Sequence, residues 1–189
     1  MKNIWFGLSL FFITYFCYAD TPPDMILSNG KLSRGIFVNY IFENNNELNR
    51  GWVENIIDLY IYEANIEGVN YEIAIAQMIF HTRFLSFLGT RVTRDSNNFC
   101  GLSTTNDITK IYFFDTYQIG IRAHIQHLKG YATREPLINE CVDPRYSKIE
   151  EEFGWGSSPT IDSLAFKWAN NSFFVQAIKN ILLEVYMRI

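Results

Sequence analysis

Residues 71–83 constrain the fold more than any other part of the sequence, because positions 73–80 are apolar except for Gln77. Asn70 stands directly before them and is a residue type that commonly caps a helix N-terminus. A helix that is apolar on most of its faces has to be packed on several sides. The sequence therefore predicts a central helix whose polar residues, Gln77, His81 and Thr82, find hydrogen-bond partners or face a cleft.

Helical periodicity, with apolar residues recurring every three or four positions, continues on both sides of this segment. It predicts helices over residues 48–67, 117–132 and 161–168, and a last helix capped by Ser172. The segment from 136 to 159 contains prolines and glycines and is predicted as a loop. Five or so helices make the predicted fold class mainly α.

Two short β-prone pieces interrupt the helical pattern after the central helix. Residues 98–102 and 110–114 are rich in aromatic and β-branched side chains, and a polar stretch with Asn106 and Asp107 separates them. This arrangement predicts a small β-hairpin or irregular lobe beside the helices.

The first 19 residues have the pattern of a secretory signal peptide. Lys2 precedes an apolar run that ends at Phe16, and small residues precede a cleavage point before Asp20. An apolar run of about 13 residues is short for a membrane span. Cleavage is therefore predicted, with a retained membrane anchor or a lipid anchor on Cys17 as alternatives. The mature protein is expected to be exported to the periplasm or cell envelope, with the membrane involved only through the leader.

Residues 20–46 form the least regular stretch of the remaining chain. Pro22, Pro23 and the asparagines at 44–46 punctuate it, which favours an N-terminal arm with loose contacts. The main domain is predicted to occupy residues 47–189.

The charge balance narrows the class of partner. The chain has 16 basic and 20 acidic residues, and no cluster of basic residues stands out. Nucleic-acid binding depends on such clusters, so nucleic acid is disfavoured as a partner. A glycan remains compatible, because sugar recognition depends on stacking and hydrogen bonds more than on net charge.

Cysteines and histidines raise two separate chemical questions. Cys100 and Cys141 follow the leader, and an exported protein allows them to be either a disulfide or two free thiols. His124 and His127 lie three residues apart and share a helix face, but no third ligand or HExxH context accompanies them. No metal site and no cofactor are predicted.

Four segments match, in order along the chain, the motifs of one known family. Residues 74–84 resemble a helix pattern of Ala-Gln, three residues, Glu-Thr-Gly and an aromatic, and residues 97–102 resemble Asn-Asn-Phe-aromatic-Gly with Cys100 at the second aromatic position. Residues 114–128 follow Phe-x-x-Tyr with its helix, and residues 164–178 contain two aromatics around a short turn. In these motifs the chain resembles the bacterial peptidoglycan glucosaminidase family. The resemblance implies a lysozyme-like helical fold and cleavage of peptidoglycan at N-acetylglucosaminyl bonds.

The resemblance also implies a site at the end of the central helix. The family's general-acid glutamate falls on His81, its following glycine on Arg83, and its closing tyrosine on Phe174. Arg83 is expected to narrow the groove. The residues expected to bind the glycan are Asn98, Phe99, Tyr112, Phe114, Tyr117, Trp168, Phe174 and Arg83.

Histidine is a poor substitute for the family's acid. A protonated imidazole is a cation beside an oxocarbenium-like transition state, whereas a glutamate ends its proton transfer as a helpful anion. We therefore expect a protein that binds peptidoglycan glycan strands with lost or weak hydrolase activity, so its status as an enzyme is open. The alternatives are an active glucosaminidase with a substitute acid and a module that binds a protein partner in the envelope.

Overall fold

The computed structural model describes residues 20–104, 107, 109–169 and 173–189. The predicted leader, residues 1–19, lies outside the described residues. The described helices are α1 (Arg34–Asn44), α2 (Arg50–Glu67), α3 (Tyr71–Thr82), α4 (Tyr117–Ala132), α5 (Tyr146–Glu152) and α6 (Phe173–Tyr186). None of the described helices combines the length and the apolarity needed to cross a bilayer.

α3 lies at the centre of the domain, in contact with α2, α4 and α6. The Asn70 side chain begins it by accepting hydrogen bonds from the backbone N–H groups of Glu72 (2.8 Å) and Ile73 (3.3 Å). Every residue from 71 to 79 is buried, as expected for a helix packed on several sides. The predicted mainly α fold class is confirmed, and the helices predicted over 48–67, 71–83 and 117–132 correspond to α2, α3 and α4.

The prediction of loose contacts for residues 20–46 is wrong. Ile26 and Phe37 are fully buried in the same core as the central helix. The backbone N–H of Ile26 donates to the Pro159 carbonyl (2.9 Å), and the Ile26 carbonyl accepts from the N–H of Asn70 (2.8 Å). α1 contains apolar residues at helical spacing, but the glycines and asparagines around them obscured this periodicity in the sequence. The core therefore begins before the predicted domain boundary.

Two elements differ from prediction in the C-terminal half. α5 lies in the segment predicted as a loop, and the helix predicted over 161–168 is a single 3₁₀ turn at Asp162–Leu164. Tyr146, Ile149 and Phe153 have the i, i+3, i+7 spacing of a helix face, so periodicity was present in the first case. In the second case, Ala165 leaves helical geometry with a ψ of 133°, and the left-handed φ of 62° at Phe166 prevents the helix from resuming.

The predicted hairpin is present as a short pairing. Ser103 and Ile111 form an antiparallel bridge. The Thr104 N–H donates to the Lys110 carbonyl and the Tyr112 N–H donates to the Leu102 carbonyl, both at 2.9 Å. Among the described residues, β pairing is confined to isolated bridges.

A close contact fixes the approach to this hairpin against α4. A Cβ added to Gly120 would lie 1.7 Å from the Asn97 carbonyl oxygen, so only glycine permits this contact. Asn97 directly precedes the loop that leads into the hairpin, and the loop is thereby held beside the end of α3.

Candidate functional site

A cleft of about 750 Å³ opens beside the C-terminal end of α3. His81 lines it from α3, and the other walls come from residues 91–92, the hairpin, α5 and the segment after the 3₁₀ turn. The described lining residues are His81, Arg91, Val92, Cys100, Gly101, Leu102, Ser103, Thr104, Arg145, Lys148, Glu152, Phe153, Phe166, Lys167, Trp168 and Ala169.

His81 lies in the last turn of α3 with both ring nitrogens constrained. The indole Nε1–H of Trp168 donates to His81 Nε2 (3.2 Å), so in the neutral ring the hydrogen is on Nδ1. A Cβ on Gly101 would lie 3.1 Å from that Nδ1, and Gly101 has a left-handed φ of 76°. The loop before the hairpin therefore needs a glycine to pass this close to the imidazole.

The electrostatic surroundings of His81 favour the neutral ring. Burial lowers the pKa of His81 to about 4, and the positive charge of Arg91 acts in the same direction. Protonation at Nε2 would also displace the hydrogen bond from Trp168, because an N–H cannot accept it. The ring therefore accepts a hydrogen bond from the indole and is not a proton donor.

Trp168 is surrounded by all three histidines of the chain. Its ring centroid lies 6.4 Å from that of His81, 5.5 Å from His124 and 5.0 Å from His127. The Phe174 ring lies parallel to the indole at 6.2 Å. Trp168 thus connects the cleft to a buried aromatic layer.

The two histidines of α4 are engaged by other side chains. His124 is hydrogen-bonded to the Tyr60 hydroxyl (2.9 Å) and to Gln77 Oε1 (2.7 Å), and His127 Nδ1 to Asp143 (2.7 Å). Burial lowers the pKa of His124, with His81 and His127 adding to the effect. Among the described residues, no group of three histidine, cysteine or acidic side chains can hold a metal ion.

Carboxylates are scarce in the cleft. The chain has 20 acidic residues, and all of them fall within the described ranges. Glu152, at the end of α5, is the acidic side chain among the described lining residues. Four acids are buried outside this lining and bound by the fold: Glu63 by Arg122, Glu67 by Lys129, Glu72 by Tyr186, and Asp143 by His127.

Three predicted glycan contacts, Asn98, Phe99 and Phe174, are buried in the interior. The Asn98 amide donates to the carbonyls of Leu102 (2.9 Å) and Tyr112 (3.0 Å), and its oxygen accepts from two backbone N–H groups of the same loop. These predictions are corrected: Asn98 shapes the loop, and the two rings fill the core behind the cleft.

Four further predicted contacts lie outside the cleft. Tyr112 and Phe114 pack on a small apolar cluster behind the hairpin, and the Tyr117 ring packs against two other aromatic rings. Arg83 is exposed and donates to the Leu88 carbonyl (3.1 Å), so it does not narrow the cleft. Of the predicted site residues, His81 and Trp168 line it.

Several lining residues were missed from the sequence. Phe153 and Phe166 are 37% and 66% exposed, so both rings are accessible from the cleft that they line. Arg145, Lys148 and Lys167 add positive charge along the same wall. Arg145 directly precedes α5 and Lys148 lies in it, and this helix lies in a segment predicted as a loop. Phe166 and Lys167 follow a 3₁₀ turn that the sequence pattern does not predict.

The two cysteines are free thiols. Cys100 is buried against the hairpin and Cys141 is exposed. Burial raises the pKa of the Cys100 thiol well above its usual value, so this sulfur is held as an unreactive thiol at the back of the cleft.

A mainly α domain with a cleft at the end of its central helix is consistent with a lysozyme-like protein. Residues 57–186 match the glucosaminidase family, described as mannosyl-glycoprotein endo-β-N-acetylglucosaminidase. The chain therefore belongs to the glucosaminidase family, and the family predicted from the four motifs is confirmed. Membership connects the chain with peptidoglycan and the cell envelope.

The chain is also similar to one curated protein over most of its length. An uncharacterized protein of Borreliella burgdorferi is 41% identical over 160 residues, which cover 85% of this chain and 76% of that protein. No solved structure matches the chain.

Proposed function

We propose that this protein is an exported, peptidoglycan-binding member of the glucosaminidase family whose hydrolase activity is lost or weak. One observation carries the proposal. At the end of α3, where the family motif has its general acid, the cleft contains a neutral imidazole that is already hydrogen-bonded to an indole.

The backbone supports the alignment of His81 with the family's glutamate. The motif ends in Glu-Thr-Gly, and this chain reads His81-Thr82-Arg83. Arg83 has a left-handed φ of 48°, a conformation that favours glycine. Phe84 and Leu85 share this left-handed conformation, so the backbone turn begins at the glycine position of the motif, which supports placing the acid position two residues earlier.

His81 is poorly suited to act as a general acid. With a pKa of about 4, a group is protonated in roughly one molecule in a thousand at neutral pH. Losing general-acid catalysis typically costs about 10²–10⁴ in rate. The side chain also supplies no negative charge to an oxocarbenium-like transition state.

Glu152 does not restore the missing arrangement. Its side chain is 48% exposed and lies 4.0 Å from the Arg145 guanidinium. A glycosidase acid works in a partly apolar enclosure, and a second carboxylate usually stands across the sugar. With one exposed acid in the cleft, neither role is filled in the usual way.

Glycan binding is better supported than cleavage. Phe153, Phe166 and Trp168 present aromatic surface to one cleft, and such rings offer apolar faces on which sugars stack. The cleft volume is in the range of specific small-ligand sites. These rings support binding without requiring an acid at position 81.

The test combines sedimentation and lysis with purified cell-wall sacculi. We expect the wild-type protein to sediment with sacculi, Trp168→Ala to sediment less, and neither to give a lysis band in a zymogram. A gain of lysis by His81→Glu would show that the groove is otherwise intact. Lysis at ordinary autolysin rates by the wild type, abolished in His81→Ala, would contradict the proposal.

Two other outcomes identify the alternative functions. Wild-type lysis that survives His81→Ala but is lost in Glu152→Gln would indicate an active glucosaminidase with a substitute acid. A folded protein that does not sediment with sacculi would favour a module for a protein partner in the envelope.

A further inference from the structure

The cleft has a charge opposite to that of the whole chain. Its described lining contains Arg91, Arg145, Lys148 and Lys167 but one acid, Glu152. The chain as a whole has a formal charge of −4. A concave surface lined by one sign of charge concentrates ligands of the other sign.

Two of these cations are held in place by neutral oxygens. Lys167 Nζ donates to the Ser157 carbonyl (2.8 Å) and to Ser158 Oγ (2.9 Å). Arg145 Nη1 donates to Ser103 Oγ (3.3 Å). Such bonds position a cation without neutralising it, so both charges remain available to a ligand.

The neighbouring acids compensate this wall only in part. Lys148 pairs with Glu151, which is exposed, and Arg145 reaches Glu152 at 4.0 Å, the limit of an ion pair. Exposed pairs of this kind contribute little free energy. Within the described residues, Lys167 has no carboxylate partner in a salt bridge.

Aromatic rings and cations alternate along this wall. Lys167 stands between Phe166 and Trp168 in sequence, and all three line the cleft. Phe153 lines it from the end of α5, next to Glu152 and close in sequence to Lys148. A ligand that follows this wall meets apolar faces for sugar rings and positive charges for acidic groups.

We propose that the cationic wall formed by Arg145, Lys148 and Lys167 binds a carboxylate carried by the glycan. The cleft would then select acidic over neutral N-acetylglucosamine polymers. The inference rests on the proposed function, because it names the substrate class of the same cleft. In peptidoglycan a carboxylate has two sources, the lactyl group of N-acetylmuramic acid and the peptide stem attached to it. With either carboxylate, arginine and lysine form charge-assisted hydrogen bonds, which are stronger than hydrogen bonds between neutral groups.

Three ligands with the same number of sugar rings separate these possibilities by calorimetric titration of the purified protein. The first is the neutral tetramer of N-acetylglucosamine. The second is the peptide-free tetramer alternating N-acetylglucosamine and N-acetylmuramic acid, which has free lactyl carboxylates. The third is the same tetramer with peptide stems, in which the lactyl groups are amides.

We expect at least one acidic ligand to bind about tenfold more tightly than the neutral tetramer at low salt, the value of one good charge-assisted contact. The preference should shrink as salt rises, since screening weakens charge attraction. Lys167→Gln and Arg145→Gln should each reduce the preference severalfold. Lys110→Gln, which removes an exposed cation outside the cleft, is the matched control and should leave the preference unchanged.

The failures are distinguishable. Equal affinity for all three ligands, with no effect of salt, overturns this inference and leaves the proposed function standing. No binding to any of them contradicts the proposed function itself. If either glutamine variant fails to fold, the salt dependence of the wild-type preference decides the question alone.

Discussion

The buried acids of α2 and α3 and the cations of the cleft show two opposite uses of charge. Glu63, Glu67 and Glu72 are almost completely enclosed, and each is met by cations, hydroxyls or backbone N–H groups. In the cleft, Arg145 and Lys167 are held by neutral oxygens instead. The difference shows that the enclosed carboxylates of this chain stabilise the fold, whereas the cations of the cleft lie on an accessible surface.

Glu67 shows the first use most clearly. Its carboxylate accepts from Lys129 Nζ (2.8 Å) and from the backbone N–H groups of Ile138 (2.9 Å) and Asn139 (3.0 Å). Burial alone raises the pKa of Glu67, but these donors outweigh it and hold the pKa below its usual value. The group therefore stabilises the fold as an anion and is not available as an acid catalyst.

Glu67→Ala is expected to give the largest effect, because it leaves the Lys129 ammonium buried without a counterion. Breaking one side of a buried pair costs about 3–5 kcal/mol. Urea denaturation measures this loss in free energy of unfolding. Glu151→Ala, which breaks an exposed pair with Lys148, is the control and should cost about 0–1 kcal/mol. Equal losses in the two variants would break the contrast between the two regions.

A fall in pH is expected to have an intermediate effect on the free energy of unfolding, through the protonation of His81. Its pKa is about 4 in the folded protein and 6.5 as a reference for the unfolded chain. As pH falls, the unfolded chain therefore takes up the proton before the folded protein does. The contribution of His81 to the free energy of unfolding is fully present above the unfolded pKa of 6.5 and declines as pH falls towards the folded pKa of about 4. The decline is at most about 1.4 kcal/mol per pH unit for one such group.

His81→Gln checks this pH dependence, because glutamine can still accept from the Trp168 indole but does not titrate. Denaturation curves across this pH window should fall less steeply for the variant than for the wild type. The two proteins should behave alike at higher pH. Parallel slopes throughout would show that His81 is not held neutral, and the argument against it as an acid would lose its electrostatic support.

The helices could be predicted because their signals are local. The Asn70 cap, the left-handed Gly68 and the apolar run of α3 lie within one stretch of sequence, and the family motifs lie on the same elements. The leader and the role of His81 stay predictions. α1 and α5 were missed where glycines, asparagines and prolines concealed a real periodicity.

The cleft could be predicted only in part, because its walls come from segments far apart in sequence. Arg145 reaches it from the N-cap of α5, and Lys167 reaches it from a turn that the hydrophobic periodicity does not predict. Asn98 and Phe99 were assigned to the ligand because they belong to a motif, yet they are buried. A motif marks a segment as important without saying which of its side chains face a ligand.

The smallest expected effect concerns Phe166, an exposed ring with a left-handed φ of 62°. A residue other than glycine pays roughly 1 kcal/mol for this conformation. Phe166→Gly should therefore keep or slightly raise the free energy of unfolding while lowering affinity for the glycan severalfold. Phe166→Ala should lower affinity similarly without the gain in stability. Phe113→Ala, which removes an exposed ring outside the cleft, should not change binding.

Binding calorimetry and urea denaturation on the same samples separate the two effects of Phe166→Gly. A variant that binds the glycan as well as the wild type would show that the ring is not part of the binding surface, and the cationic wall would then have to act without this stacking face. A strained, exposed aromatic ring is costly to keep, and such strain tends to persist where it serves a site. Separate changes in stability and affinity would show that the conformation at Phe166 is retained for contact with the ligand rather than for folding.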